Sequence, residues 1–196
     1  MSYATIPVCA ANDAPLEHVR WAHECLQEIP ERVNDILWEG RVYVYVRAKF
    51  SDDWEQYEWH GRKGELFPWS EMMGYWSTTD AYAHLNAAPI TSKATLASVL
   101  FHELGHAICD VCIPGAERTP EFRAAWSAGR KRVQERFPAQ YDRREGLGMY
   151  CLHWTRGVKE AYADAVAWVL QGRACIHPEF GRTFRECVEI VEADLS

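Results

Sequence analysis

The pattern of hydrophobic and polar positions first predicts two helices in the N-terminal third of the chain. Between Ala14 and Ile29, apolar residues recur at the spacing of one helical face. Pro30 interrupts this pattern, and residues 31–40 then carry a second helical stretch that ends at Gly40. The next segment, Arg41–Phe50, alternates β-branched and aromatic side chains, which is typical of a strand.

The middle of the chain predicts further strands and then a long apolar helix. Asp52–Tyr75 is dense in aromatic residues interrupted by glycine and proline, which indicates a hairpin or an irregular excursion. Tyr75–Asn86 has the composition of another strand. A helix is expected from about Ser92 to Asp110, with the hydroxyl of Ser92 as its N-cap.

The C-terminal half is predicted to be helical. Thr119–Phe137 begins with a capping threonine and a proline at the first helical position, and Thr155–Gly172 ends on a glycine. His177–Leu195 is expected to form the last helix, and the opening dozen residues a short strand. Strands followed by helices predict an α+β fold. We expect one domain over residues 1–196, with an α/β part at about 1–110 and a helical part at about 111–196.

Composition narrows the range of partners. The chain has 196 residues, of which 48% are hydrophobic, and this is enough apolar material for a core. Its formal charge of −7 argues against a nucleic-acid backbone as the partner. No stretch has the length of a membrane span, so no membrane partner is expected, and nothing in the sequence indicates an oligomeric state.

The cysteines and the first residues bear on the compartment. The chain has seven cysteines at irregular spacing, which favours reduced thiols over a disulfide framework. The opening segment lacks the basic and apolar regions of a signal peptide. We therefore expect a cytoplasmic protein, or one exported by a route without a visible signal peptide.

The long apolar helix carries the chemically most informative motif. Its segment "SVLFHELGHAICD" contains H-E-x-x-H, with His102 and His106 four residues apart and Glu103 between them. Two histidines at this spacing lie on one helical face and can bind a single zinc ion, while the glutamate reaches a water beside it. A chance match in a chain of this size is on the order of a few per cent. Burial of these polar residues in an apolar helix favours a metal site, because a metal would compensate its cost.

A third ligand is expected from a second helix. In the segment "KEAYADA", Glu160 and Asp164 are four residues apart among small apolar residues. Glu160 could bind the ion while Asp164 accepts a hydrogen bond from the far nitrogen of a ligand histidine. The longer motif with a third histidine is absent, because Cys109 and Cys112 occupy the positions of its glycine and histidine. The alternative is that Glu160 and Asp164 form the charged stripe of a surface helix.

The two motifs together resemble those of gluzincin zinc metallopeptidases. Within that group, the order of elements is similar to the catalytic domain of anthrax toxin lethal factor and to the Pro-Pro endopeptidases. The resemblance implies a zincin-like fold with an edge strand beside the active-site helix, and one Zn²⁺ ion held by His102, His106 and Glu160. It also implies that Glu103 is the general base and that Asp164 orients a ligand histidine, although the lethal-factor group tends to have glutamate at that position.

The chain departs from the family pattern at the residue that would stabilise the oxyanion. The family has a tyrosine seven residues before the ligand glutamate, and this chain has His153 there. We expect His153 or Tyr150 to donate a hydrogen bond to the developing oxyanion. An extended peptide or protein substrate is expected along the strand Tyr75–Asn86, with His84 or Asn86 either near the cleft or as plain strand residues.

Three functions remain open from the sequence. The first is a zinc endopeptidase that hydrolyses peptide bonds through a metal-activated water. The second is a regulatory H-E-x-x-H protease that cleaves one specific partner protein. The third is a catalytically silent zinc-binding protein, which predicts a closed fourth coordination position, for example a cysteine. Cys109 and Cys112 themselves are interpreted as two thiols at a helix end rather than as a second metal site.

Overall fold

The structure is a computed structural model that describes residues 5–51, 57–58, 66–67, 71–151, 155–172 and 177–196. Its strands are β1 (Val8–Ala10), β2 (Tyr43–Arg47), β3 (Tyr57–Glu58), β4 (Leu66–Phe67), β5 (Gly74–Ser77) and β6 (Tyr82–Asn86). Its α-helices are α1 (Leu16–Gln27), α2 (Glu31–Glu39), α3 (Lys93–Ala107), α4 (Pro120–Arg136), α5 (Pro138–Arg143), α6 (Arg156–Gln171), α7 (Phe180–Thr183) and α8 (Arg185–Leu195). The predicted α+β fold is confirmed.

A four-stranded mixed sheet has the order β1-β2-β6-β5. β1 and β6 both pair with β2 in parallel, whereas β5 pairs with β6 antiparallel. The separate pair β3 and β4 is antiparallel. The remainder of the hairpin or excursion predicted for this region lies mostly outside the described residues.

The single strand predicted over Tyr75–Asn86 is wrong, because the structure has a hairpin of β5 and β6 there. The turn between them contains Asp80, whose carboxylate accepts a hydrogen bond from the backbone N–H of Tyr82 at 3.3 Å, and Ala81 at φ +61°. Polar residues of this kind favour turns over strands. As a consequence β5 lies at the end of the sheet order, while β6, which carries His84 and Asn86, lies inside the sheet.

The helix boundaries follow the capping residues. The Ser92 hydroxyl accepts a hydrogen bond from the Thr95 N–H, and the Thr119 hydroxyl accepts one from the Phe122 N–H, as predicted. Gly172 ends α6 in the left-handed conformation. The predicted helix from His177 is instead interrupted at Phe184, between α7 and α8.

The core lies between the sheet and the helices. Alternate residues of β2 are buried, as are all residues of β6 after Tyr82, and α3 packs against β5, β6, α1 and α6. The backbones of α3 and α6 come into close contact at Gly105, where an added Cβ would lie 2.6 Å from Ala163 Cα. This approach brings the H-E-x-x-H helix against the helix that carries Glu160. Of the helices in the described part of the chain, none is long and apolar enough to cross a membrane.

Candidate metal centre and active site

Three potential ligands converge where α3 meets α6. His102 and His106 lie one helical turn apart, and Glu160 faces both from α6. Glu160 Oε2 is 3.2 Å from His102 Nε2 and 3.7 Å from His106 Nε2. One donor atom from each of the three side chains lies within 4.8 Å of the other two. The structure thus brings together the three residues that the sequence predicts as ligands.

This donor set fits a small divalent cation. Zinc binds imidazole nitrogen and carboxylate oxygen at roughly 2.0–2.1 Å, so neighbouring donors of a tetrahedral site are about 3.4 Å apart. The two separations from Glu160 to the histidines, 3.2 and 3.7 Å, lie on either side of that value. In the described residues, this is the one group of three histidine, cysteine or acidic side chains with such spacing.

The surroundings of Glu160 hold it in the deprotonated form that a metal ligand must have. Burial alone would raise the pKa of Glu160, but the imidazoles of His106 and His102 hold it well below the ordinary range. Burial alone would lower the pKa of His102, but the carboxylates of Asp164 and Glu160 hold it well above the ordinary value. A bound cation would replace the proton on His102 Nε2, which faces Glu160, and Nδ1 would keep its hydrogen bond to Asp164.

Asp164 lies where the sequence predicts it, behind the His102 ring. His102 Nδ1 donates to Asp164 Oδ1 at 2.9 Å, and Asp164 has no exposed surface. This bond fixes the tautomer that turns Nε2 toward Glu160. Asp164 also accepts a hydrogen bond from the Tyr150 hydroxyl.

That contact changes the interpretation of Tyr150. The sequence predicts its hydroxyl as a possible donor to an oxyanion, which requires a position facing the open side of the metal. In the structure Tyr150 is fully buried, and its hydroxyl bonds the carboxylate on the opposite side of the His102 ring from Glu160. This geometry differs from the prediction, because Tyr150 supports Asp164 and its hydroxyl lies on the side of the His102 ring away from Glu160. His153, the other predicted donor, lies outside the described residues.

Glu103 lies next to the convergence point and faces strand β5. It is 7% exposed, and burial raises its pKa, while the neighbouring imidazoles of His102 and His106 oppose this. The backbone amide of Trp76, on β5, donates a hydrogen bond to its carboxylate. The strand therefore holds the side chain that is predicted as general base.

The two cysteines after the motif do not face the three candidate ligands. Cys109 Sγ bonds the backbone carbonyl of His106, and Cys112 Sγ packs against Gly40, 2.5 Å from where an added Cβ would lie. Burial raises the pKa of both thiols, that of Cys112 to about 12. Both remain free thiols, which agrees with their interpretation as residues of a helix end.

Sequence reasoning missed a polar cluster beside this centre. Asp110 accepts hydrogen bonds from the side chains of Trp76 and Thr78 on the β5 side and from Lys159 on α6. One signal in the sequence could have indicated Asp110: it lies four residues after His106 and seven after Glu103, which is nearly the same face of a helix. Its partners are remote in the chain and carry no such signal.

Comparison with known proteins supports the fold. No protein-family model matches this sequence, and no curated protein matches it. The structure is similar to that of the Pro-Pro endopeptidase PPEP-2 from Paenibacillus alvei, with a TM-score of 0.59. The two chains are 13% identical, and the similarity covers 96% of this chain and 97% of the other. At this level of identity the comparison establishes a shared α+β architecture, which agrees with the resemblance seen in the sequence.

Proposed function

We propose that this chain is a zinc-dependent endopeptidase of the gluzincin type. The observation that carries the proposal is the convergence of His102, His106 and Glu160 beside the buried carboxylate of Glu103. The fold shared with a protein described as an endopeptidase supports the same reaction class. One divalent ion, held by the two imidazoles and the Glu160 carboxylate, would polarise the scissile carbonyl and lower the pKa of an attacking water to about 7.

The chain's own residues divide the remaining work. Glu103 accepts the proton of the attacking water and passes it to the leaving amine. Its raised pKa and the Trp76 amide suit a group that must take up and release a proton in one position. Asp164 keeps His102 oriented, with Tyr150 bonded to Asp164 in turn. His153 stays the proposed donor to the oxyanion.

We propose that an extended peptide binds along β5. The register of β5 against β6 turns the backbone groups of Tyr75 and Ser77 toward β6 and those of Gly74 and Trp76 away from it. The Trp76 carbonyl, which points away from β6, belongs to the same residue as the amide that bonds Glu103. A peptide paired with these groups would pass directly beside the proposed general base.

The decisive experiment is cleavage of an unbiased peptide library by the zinc-loaded protein. We expect endoproteolytic cleavage that stops when a chelator is added and returns when zinc is restored. Cleavage that continues undiminished after complete removal of metal would contradict the proposal. The cleaved sequences would also define the substrate preference.

The same experiment separates the two alternatives. A regulatory protease would leave the library intact but cleave one partner protein in a zinc-dependent way. A silent zinc-binding protein would bind zinc and cleave neither, and its closed site would need a fourth protein ligand. Among the described cysteines, Cys109 and Cys112 contact groups other than the three ligands, so neither supplies that ligand in this structure.

A further inference from the structure

Asp110 joins three elements around the proposed active site. Its Oδ2 accepts hydrogen bonds from Trp76 Nε1 at 3.1 Å and from Thr78 Oγ1 at 3.3 Å. Its Oδ1 accepts one from Lys159 Nζ at 2.8 Å. Trp76 is on β5, and Lys159 immediately precedes Glu160 on α6. One carboxylate therefore connects the edge strand with the helix that carries the third ligand.

The strand is fastened to the motif helix at two points. The backbone amide of Trp76 bonds Glu103, and its indole N–H bonds Asp110, seven residues further along the chain. Both bonds come from the same strand residue, one from the main chain and one from the side chain. A displacement of Asp110 would thus be transmitted through Trp76 to the carboxylate of Glu103.

The backbone around Asp110 is unusual. α3 does not continue as an α-helix to Asp110 but widens into a π-helical turn over Ile108–Cys112, with the Ile113 N–H bonded to the Ile108 carbonyl at 2.7 Å. Single π turns are rare and frequently occur at functional sites. Asp110 lies in the middle of this turn, which is an observation independent of its hydrogen bonds.

The contact contributes more to position than to stability. The Asp110 and Lys159 side chains are 18% and 34% exposed, and ion pairs with that much access to water stabilise a fold little. The bonds do, however, fix the positions of the Trp76 indole and the Thr78 hydroxyl. The strand β5 is otherwise held by a neighbouring strand on one side only. The geometry points to Asp110 as a positioning residue of the proposed peptide hydrolysis, which holds β5 in register with Glu103 and Glu160. This inference rests on the proposed function.

The kinetic test combines two conservative substitutions. Asp110→Asn removes the charge and one acceptor, and Trp76→Phe removes the indole N–H together with the five-membered ring that carries it. In the zinc-loaded protein we expect each to lower kcat about 10-fold, and the double variant to be no slower than the slower single variant. Asp142→Asn and Trp38→Phe, both at exposed positions, serve as matched controls and should leave kcat unchanged.

A merely structural role predicts a different result. It would reduce the amount of folded, zinc-loaded protein without changing kcat for each loaded molecule. Single variants with wild-type kcat, or a double variant whose loss is the product of the two single losses, would overturn the inference. If Asp110→Asn fails to fold, Trp76→Phe and Thr78→Val each remove one hydrogen bond between Asp110 and the β5 side. Thr79→Val is the control for Thr78→Val.

Hydrogen exchange gives a readout that does not depend on catalysis. We expect Asp110→Asn to exchange the amides of residues 74–78 about 10-fold faster, with little change in β6 and α6. Unchanged exchange in β5 would overturn the inference even if peptides are cleaved. Faster exchange in a protein that cleaves no peptide would instead contradict the proposed function and leave the contact itself established.

Discussion

The two sides of helix α3 are built differently. Toward α6, Gly105 lies against the backbone of Ala163, and His102 is held by Asp164, which has no exposed surface. Toward β5, Glu103 is held by one backbone amide of a half-buried strand. The ligand side is thus part of the hydrophobic core, whereas the side of the proposed base depends on a few polar contacts near the surface.

This difference predicts that the proposed metal binding and the proposed turnover can be perturbed separately. Core packing fixes side chains tightly, because interiors are close-packed and resist displacement. Surface strands are held by fewer contacts and open more readily. Substitutions toward α6 should therefore change stability and metal affinity together, and substitutions toward β5 should change turnover with little effect on metal affinity.

The strongest expected separation is produced by Glu103→Gln. The amide retains the size of the side chain but cannot accept the water proton, so we expect kcat to fall about 10²–10⁴-fold. Zinc content, measured by elemental analysis of the purified protein, should stay at one ion per chain. Glu121→Gln, at an exposed position of α4, is the matched control. A Glu103→Gln variant that loses its zinc would show that the two sides are not separable.

On the ligand side, Gly105→Ala tests the close approach of α3 and α6. An added Cβ would lie 2.6 Å from Ala163 Cα and 2.8 Å from the Ala163 carbonyl oxygen, so the helix backbones must move apart. We expect the free energy of unfolding to fall by about 1–3 kcal/mol, with a parallel loss of zinc affinity. Chemical denaturation and zinc titration measure the two effects. Ala94→Ser, at an exposed position of the same helix, should change neither, and an unaffected Gly105→Ala would refute the close packing.

How much of this arrangement could be predicted depends on how local each feature is. Ser92, Thr119 and Gly172 were predicted as caps because a cap acts on residues of the same turn. His102 and His106 were predicted to share a face because helical spacing alone decides it. The pairing of β5 with β6 was missed, because the turn between them is short and both flanking segments have the composition of a strand, so the whole segment resembles one continuous strand.

Features that depend on side-chain direction could not be predicted from the sequence. Tyr150 was expected to face the substrate, but the packing of its ring against Phe180 and Phe184 turns the hydroxyl toward Asp164. The Asp110 cluster likewise depends on where β5, α3 and α6 meet. The ligand set could be predicted because Glu160 and Asp164 are four residues apart, at helical spacing, among small residues.

A smaller effect on the ligand side is expected from Tyr150→Phe. The ring is retained, but Asp164 loses one hydrogen-bond donor, so His102 is oriented less firmly. We expect zinc affinity to fall about 10-fold and the free energy of unfolding by about 1–2 kcal/mol. Tyr162→Phe is a matched control on α6, since that buried hydroxyl bonds Asp194 and no ligand. Equal losses of zinc affinity in the two variants would contradict a specific role for Tyr150.

The finest test of the comparison is Gly74→Ala on β5. An added Cβ would lie 2.6 Å from Val99 Cγ1 and 3.2 Å from Glu103 Cγ. Val99 is in a helix, where β-branched side chains have one strongly preferred rotamer, so the strand and not the side chain must shift. We expect the free energy of unfolding to fall by about 1 kcal/mol, the lower end of the range for overpacking, because β5 is the last strand of the sheet and can move away from α3. Peptide hydrolysis should fall several-fold with unchanged zinc content.

Val99→Ala removes the clashing methyl group, and in the double variant kcat per zinc-loaded molecule should return toward that of Val99→Ala alone. A Gly74→Ala variant that loses zinc in proportion to its activity would show that β5 supports the metal ligands as well as Glu103, and that the two sides of α3 are mechanically one.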